Sequence, residues 1–153
     1  MGRQAAGVQG IRLAEGDRVT SMDVVDKDGS LLVVTKGGFG KQTSLKNYTP
    51  KGRATRGIAT IDQKAFDEIG KIAAARVVRN DDELTIITAN GVVLRLKVKD
   101  VKQSGRATKG VHLIKPQEGD YVASVARISS EELKRAGAQL NGEEGKEDQP
   151  KLI

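Results

Sequence analysis

The sequence lacks the residues on which most catalytic and metal-binding sites are built. It has no cysteine and no tryptophan, and its one histidine is His112. The absence of cysteine excludes disulfides and thiolate metal ligands, and a single histidine excludes most histidine-based metal clusters and proton relays. No nucleophile is placed beside a base in any motif. We therefore expect no cofactor, no metal site and no catalysis by this chain alone.

Aromatic residues and long apolar runs are also scarce. Aromatics make up 3% of the chain, so the core must be built from Val, Ile, Leu and Ala, and few rings are present on which single-stranded bases would stack. The longest apolar runs, such as "LLVV" and "IAAA", are too short to span a bilayer. The first ten residues contain no apolar segment of a secretory signal. These absences predict a soluble cytoplasmic protein without a membrane partner.

Charge, in contrast, is abundant and unevenly distributed. The formal net charge of the whole chain is +6. Residues 1–128 hold 22 bases and 14 acids, a net charge of +8, whereas residues 129–153 hold four bases and six acids, a net charge of −2. A basic body suggests a polyanionic partner, although a surface charged only for solubility fits the same counts.

The chain contains internal repeats. The segments "GRATRGI" and "GRATKGV" begin 53 residues apart, at Gly52 and Gly105, and the same offset relates Asp28–Gly38 to Asp81–Gly91. A partial copy opens the chain, where "GRQAAGV" and "EGDRVTSMDVV" match later segments. The body is therefore two full repeats and part of a third.

The pattern within each repeat is that of β-structure. The segments "RVTSMDVV", "SLLVVT", "IAAARVV", "ELTIIT" and "VVLRLKV" are short, apolar or β-branched, and bounded by Gly, Asp or Asn. We predict hairpin turns at "DKDGS" and "NDDE". Strands at a period of about 50 residues predict an all-β array of propeller-like blades, each of about four antiparallel strands, over residues 1–128. About two and a half blades leave open ends, so we expect a piece of a larger array or a homo-oligomer.

The period stops at Ser129. The segment "SSEELKRAGAQ" predicts a short helix capped by serine, and "NGEEGKEDQPKLI" is polar enough to predict disorder. Residues 129–153 are thus expected to form a short, flexible acidic tail. Such a tail either competes with a polyanion for the basic body or only adds solubility, and the sequence leaves both possibilities open.

Cations follow the glycine turn of each repeat. Between Gly29 and Ile61 there is no acidic residue. Strand alternation along "RLKVK" places Arg95, Lys97 and Lys99 on one face. In stacked blades such cations would form one continuous positive track for duplex phosphates, although charged edge strands also prevent aggregation. The candidate DNA-binding residues are Lys36, Lys41, Lys46, Lys51, Arg53, Arg56, Arg95, Lys97, Lys99, Lys102, Arg106 and Lys109.

The "GRxxxG" loops are a second feature suited to phosphate binding. Glycine at both ends permits a tight turn and the close approach of another backbone. Arg53 with Arg56, and Arg106 with Lys109, would each clamp a phosphate, with help from backbone N–H groups. The same glycines would also serve a loop that only connects one blade to the next.

These motifs resemble a known family. The stretches 31–58 ("LLVVTKGGFGKQTSLKNYTPKGRATRGI") and 83–114 ("ELTIITANGVVLRLKVKDVKQSGRATKGVHLI") resemble successive blades of the C-terminal domain of the DNA gyrase A subunit. The resemblance covers about residues 2–130, and "EGDYVASVARI" with the acidic tail resembles the end of that domain. It implies a β-pinwheel, in which adjacent blades exchange a strand, and duplex DNA binding and wrapping without sequence specificity.

The resemblance also implies partners. In this family, wrapping allows an ATP-dependent type II DNA topoisomerase to introduce negative supercoils. The implied partners are double-stranded DNA, the gyrase B subunit, and the remainder of the gyrase A subunit. The loops depart from the family's gyrase box, Gln-Arg-Arg-Gly-Gly-Lys-Gly, since they keep only the central Arg53 or Arg106, the later Arg56 or Lys109, and the last glycine. Two alternatives are a propeller-like protein-interaction module and the corresponding domain of topoisomerase IV.

Overall fold

The computed structural model describes residues 3–144 and contains two antiparallel sheets. The first sheet has the strand order β3-β1-β2-β6, and the second has the order β5-β4-β7. The part of the predicted tail at residues 145–153 lies outside the described residues. The strands are β1 (Ser30–Thr35), β2 (Phe39–Ser44), β3 (Ile72–Val78), β4 (Glu83–Thr88), β5 (Val93–Lys97), β6 (Val111–His112) and β7 (Val122–Ile128).

Each sheet is built around one repeat. A tight turn with Gly38 at a φ of 84° joins β1 to β2, and Gly91 at 86° occupies the equivalent turn between β4 and β5. A positive φ is readily adopted only by glycine, which explains the repeated glycines. The all-β, propeller-like fold predicted from the sequence is confirmed.

The turn at "NDDE" corrects the predicted hairpin. Strand β3 pairs back with β1 of its own repeat, with Ser30 opposite Val78, whereas β4 starts the second sheet at Glu83. Residues 79–82 therefore connect two sheets rather than two neighbouring strands. "DKDGS" likewise precedes β1 without a paired strand before it in the described residues.

The fourth strand of the first sheet comes from the second repeat. Strand β6 pairs with the beginning of β2, with Phe39 opposite His112 and Gly40 opposite Val111. The second repeat therefore adds its own segment to the sheet of the first. This exchange ties consecutive blades together through backbone hydrogen bonds as well as through packing.

The main hydrophobic core lies between the two sheets. Because side chains alternate along a strand, one face of β1 carries Leu32 and Val34, and one face of β4 carries Leu84 and Ile86, into this layer. The buried residues that form it are all aliphatic, as the shortage of aromatic residues requires. A second, smaller cluster around Val33 covers the opposite face of the first sheet.

The N-terminal segment "RVTSMDVV" is not the strand that its composition predicts. It forms no backbone ladder with a strand in the described residues, and Met22 and Val24 are exposed. Its polar side chains instead accept hydrogen bonds from the free edge of β3. Ser21 Oγ accepts from Ala75 N at 3.1 Å, and Asp23 Oδ2 accepts from Val77 N at 2.9 Å.

Two α-helices are present in the described residues, α1 (Phe66–Ile69) and α2 (Ser130–Glu144). Helix α2 begins with a reciprocal cap, in which Ser129 N donates to Glu132 Oε2 at 2.7 Å and Glu132 N donates to Ser129 Oγ at 3.3 Å. Within residues 3–144 no helix is long and apolar enough to cross a membrane.

The equivalent glycines Gly110 and Gly57 provide a matched test of blade contact. Both have a positive φ, but a Cβ at Gly110 would lie 2.6 Å from Gly40 O, whereas a Cβ at Gly57 would meet nothing within 4 Å. We expect Gly57→Ala to cost about 1 kcal/mol from backbone strain alone and Gly110→Ala roughly 3 kcal/mol or more. Urea unfolding of both variants measures the difference, and equal costs would contradict the close approach.

Candidate nucleic-acid interface

The GRATKG loop, residues 105–110, lies along the outer edge of the first sheet. Ser104 N donates to Gln42 O at 2.9 Å, and Gln42 N donates to Lys102 O at 3.2 Å. At its other end, Gly110 approaches the backbone of Gly40 so closely that no side chain would fit between them. The loop is thus fastened at both ends to β2, and its cations are held at the edge of the blade.

The two GRxxxG loops share a local scaffold. Thr108 Oγ1 donates to Gly105 O at 3.0 Å, and the equivalent Thr55 Oγ1 donates to Gly52 O at 3.2 Å. These threonine bonds, three residues back along the chain, close the turn in both loops. The GRATRG loop, residues 52–57, pairs on its other side with the backbone of the N-terminal segment at residues 10–12.

The two loops and their flanks carry six exposed cations. They are Lys51, Arg53 and Arg56 in the first repeat and Lys102, Arg106 and Lys109 in the second. Arg53 corresponds to Arg106 and Arg56 to Lys109 at the repeat offset of 53. Exposed cations on glycine-bounded loops at equivalent places in consecutive blades are suited to binding successive anionic groups of one polymer.

The positive charge of Lys109 is partly neutralised by neighbouring groups. Its Nζ lies 2.7 Å from Glu68 Oε1 and 5.8 Å from the centroid of the Phe39 ring. Both members of the ion pair are about half exposed, so the pair contributes little to stability. An incoming anion must therefore compete with Glu68 for the Lys109 ammonium.

Lys41, one of the candidate DNA-binding residues, does not belong to the exposed surface that its place in the charge pattern predicted. Its side chain, on β2, is only 1% exposed. Its Nζ donates to Gly105 O at 2.8 Å, to Arg106 O at 2.6 Å and to Thr108 Oγ1 at 3.2 Å. Strand alternation does not reveal which side of a strand another loop covers, so the sequence alone does not separate Lys41 from the exposed cations.

The predicted row of Arg95, Lys97 and Lys99 is only partly formed. Strand β5 ends at Lys97, and Lys99 lies in a 3-10 helix spanning Val98–Asp100. Arg95 Nη2 is paired with Glu83 Oε2 at 2.7 Å. Lys97 and Lys99 line a shallow pocket together with three acids of the turn and of β4, at residues 81–83. Acidic side chains therefore lie beside Arg95, Lys97 and Lys99.

Lys36 and Lys46 lie at opposite ends of the first sheet. Lys36 follows the last residue of β1, and its Nζ is 5.7 Å from the centroid of the Tyr121 ring. Lys46 lies in a 3-10 helix after β2, at the position that corresponds to Lys99. The twelve predicted cations therefore do not share one surface, whereas the six on the two loops and their flanks are all exposed.

The structure adds two contact residues that sequence patterns did not indicate. Glu68 holds Lys109, and Gln42 bridges the blades because its Nε2 donates to Val98 O at 3.1 Å and to Val101 O at 2.8 Å. Neither residue stands in a repeated motif. Long-range contacts of this kind leave no local signal in a single sequence.

Consecutive antiparallel blades with an exchanged strand and basic loops at the outer edge define a propeller-like repeat protein. The chain belongs to the family described as "DNA gyrase C-terminal domain, beta-propeller", whose model matches residues 1–26, 29–79 and 82–129.

Relatives and solved structures agree with this family. The chain is 43% identical over 134 residues to the DNA gyrase A subunit of Mycolicibacterium smegmatis, in a match that covers 86% of this chain and 15% of that relative. It is 40% identical over 136 residues to the gyrase A subunit of Staphylococcus epidermidis, with the same coverage. The chain thus spans about one-seventh of the length of these curated relatives.

Two solved structures are similar. The C-terminal domain of DNA topoisomerase IV matches with a TM-score of 0.77 and 28% identity, covering 90% of this chain and 43% of that chain. The DNA gyrase A C-terminal domain matches with a TM-score of 0.75 and 24% identity, covering 80% and 41%. The latter likeness is one of fold.

The burial of Lys41 predicts a pH-dependent stability. Burial lowers the pKa of Lys41 from 10.5 to about 8. Between these values the unfolded chain holds a proton at this lysine that the folded chain has released, so the free energy of unfolding rises with pH across the window. The gain is at most roughly 3 kcal/mol, at about 1.36 kcal/mol per pKa unit.

The variant Lys41→Met isolates this group from other titrations. We expect the free energy of unfolding of the unchanged protein, minus that of the variant, to increase from about pH 7.5 to about pH 10. Urea unfolding at each pH measures both. A difference that stays flat or falls would show that the pKa of Lys41 is not lowered.

Proposed function

We propose that this chain binds duplex DNA without sequence specificity, through its two GRxxxG loops, and bends the duplex along the outer edges of the blades. Cations on such loops neutralise phosphates and release counterions, which supplies affinity for any sequence. The supporting observation is the recurrence of Arg53 and Arg56 at the positions of Arg106 and Lys109, all exposed.

Double-stranded DNA fits this surface better than single-stranded nucleic acid. Single-strand binding relies on aromatic platforms for stacked bases. Neither loop contains an aromatic residue, and Phe39 is buried beneath Lys109. Phosphate contacts at regular intervals, in contrast, suit a duplex whose backbone follows a curved protein edge.

The proposal extends to the larger protein. As part of a gyrase A-type subunit, the chain would contribute to the wrap that allows an ATP-dependent type II topoisomerase to introduce negative supercoils with the gyrase B subunit. The outer side of β5 carries no strand in the described residues, whereas the equivalent side of β2 carries β6. This free edge suits the docking of a further blade of the same subunit.

Charge reversal of the second loop tests the DNA-binding surface. We expect log K for a random-sequence duplex to fall with log salt by about 0.9 per phosphate contact, giving a slope of about −5 for six cations. The double variant Arg106→Glu, Lys109→Glu should bind at least about tenfold more weakly to every sequence and lose about two contacts from the slope. Fluorescence anisotropy across a salt series measures both.

Two further variants sharpen this test. Lys134→Glu reverses an exposed charge on helix α2 and should leave the salt slope unchanged. Glu68→Gln releases Lys109 from its ion pair and should strengthen binding severalfold at low salt. Binding by the unchanged chain that is absent, or insensitive to salt, would refute the proposal. An equal effect of Lys134→Glu would show that only the net charge matters.

Wrapping has a separate readout. Closed circular DNA relaxed by a nicking-closing enzyme in the presence of the chain should retain a linking difference that grows with the protein-to-DNA ratio, because a bent path on a twisted protein edge is chiral. The double variant of the second loop should lose this difference. Tight binding with no linking difference would leave DNA binding intact and contradict wrapping.

A further inference from the structure

Lys41 occupies an unusual position for a lysine in this repeat architecture. It is buried in β2, and the equivalent residue of β5 is Leu94. A lysine is rarely buried unless its ammonium is fully bonded. Lys41 meets this condition, since its three N–H donors have three oxygen acceptors, all located in the GRATKG loop of the next repeat.

The GRATKG loop is held against β2 partly by backbone contacts and partly by the Lys41 side chain. The flanks, at Ser104 and Gly110, are held against β2 by backbone hydrogen bonding and close approach. The centre of the loop, Gly105 to Thr108, contacts β2 through the Lys41 ammonium. Removal of this ammonium would leave the flanks attached and the bond from Asp62 N to Thr108 O at 3.3 Å in place, but it would loosen the centre between them.

The other loop packs on the N-terminal segment at residues 10–12, without a lysine or a strand like β2 beside it, and it has a different conformation. In the GRATRG loop, Ala54 has a φ of 57°, and it is the only non-glycine residue with a positive φ among residues 3–144. The equivalent Ala107 of the GRATKG loop does not have this conformation. The identical letters "GRAT" therefore adopt two backbone conformations, and the lysine contact accompanies only one of them.

The direction in which the carbonyl groups of the loop point affects the approach of an anion. Because the carbonyl oxygens of Gly105 and Arg106 are directed at the ammonium, they are turned inward from the surface on which a phosphate would approach. Outward carbonyl oxygens would repel a phosphate, and the inward orientation leaves the Arg106 and Lys109 side chains as the exposed charges of the loop.

We propose that Lys41 is a positioning residue, whose buried ammonium holds the centre of the GRATKG loop in the conformation that presents Arg106 and Lys109 to a DNA phosphate. This inference rests on the proposed DNA binding. Lys41 itself touches no ligand, because it is covered by the loop that it holds.

The test compares Lys41→Met in the full chain with the matched control Leu94→Met in the other sheet. Methionine approximately preserves the length of the side chain and removes both the donors and the buried charge. We expect amide exchange of Asp62, whose N–H donates to Thr108 O in the centre of the loop, to accelerate at least about tenfold in Lys41→Met and not in Leu94→Met. Hydrogen-exchange mass spectrometry measures this without any DNA.

DNA binding supplies the second readout. We expect Lys41→Met to bind a random-sequence duplex about tenfold more weakly, with its slope of log K against log salt reduced by about two contacts, while Leu94→Met is unchanged. If Lys41 only stabilised the fold, Lys41→Met would lower the urea midpoint of unfolding but leave the slope of log K against log salt unchanged for the folded protein. Lys41→Leu, which copies the equivalent residue Leu94 and also lacks the donors, should shift both readouts in the same direction, and it replaces Lys41→Met if that variant does not fold.

The outcomes separate the two proposals. Unchanged exchange of the Asp62 amide in Lys41→Met, or in Lys41→Leu if Lys41→Met is unfolded, overturns the positioning role whether or not the chain binds DNA. Accelerated exchange with an unchanged salt slope also overturns it, since the loop conformation would then be irrelevant to phosphate contacts. If the unchanged chain binds no DNA, the proposed function fails and the presentation of cations to DNA fails with it, whereas the exchange result still decides whether the ammonium holds the loop.

Discussion

The pairing of β6 with β2 is the constraint on which the other features of this structure depend. It requires the chain to approach β2 so closely that Gly40 and Gly110 admit no side chain between them. Once β6 is in place, the loop before it must lie along the sheet edge, and the residues after it, Leu113 and Ile114, pack against the core between the sheets. One short exchanged strand thus sets the blade spacing, the core contact and the position of the loop cations.

The repeats made most of the fold predictable, because β-branched segments bounded by glycine and aspartate recur at one offset. The local pattern could not show which strands pair. "NDDE" has the composition of a hairpin turn, yet it joins two sheets, since β3 finds its partner in β1, at the far end of the same repeat. "RVTSMDVV" has the composition of a strand, but it meets the edge of β3 through the side chains of Ser21 and Asp23 instead of a backbone ladder.

The candidate site was predictable to a similar degree. Arg106 and Lys109 stand out because glycine-bounded cations recur, and both are exposed as the motif predicts. Lys41 belongs to the same charge pattern and is nevertheless buried, since a loop 64 residues further along the chain covers it. Charge counting establishes that a surface is basic, but only tertiary contacts distinguish a cation facing solvent from one that bonds to the protein's own carbonyl groups.

The cations also differ in how freely they can meet a phosphate. Arg95 and Lys109 each have a carboxylate at 2.7 Å, so a phosphate gains from them only after displacing Glu83 or Glu68. Such exposed pairs are weak, and a polyanion with many phosphates can displace them at small cost. The acidic partners therefore disfavour isolated anions more than a continuous duplex. Affinity would then come from the simultaneous engagement of several loops, which favours long curved contacts over single phosphate sites.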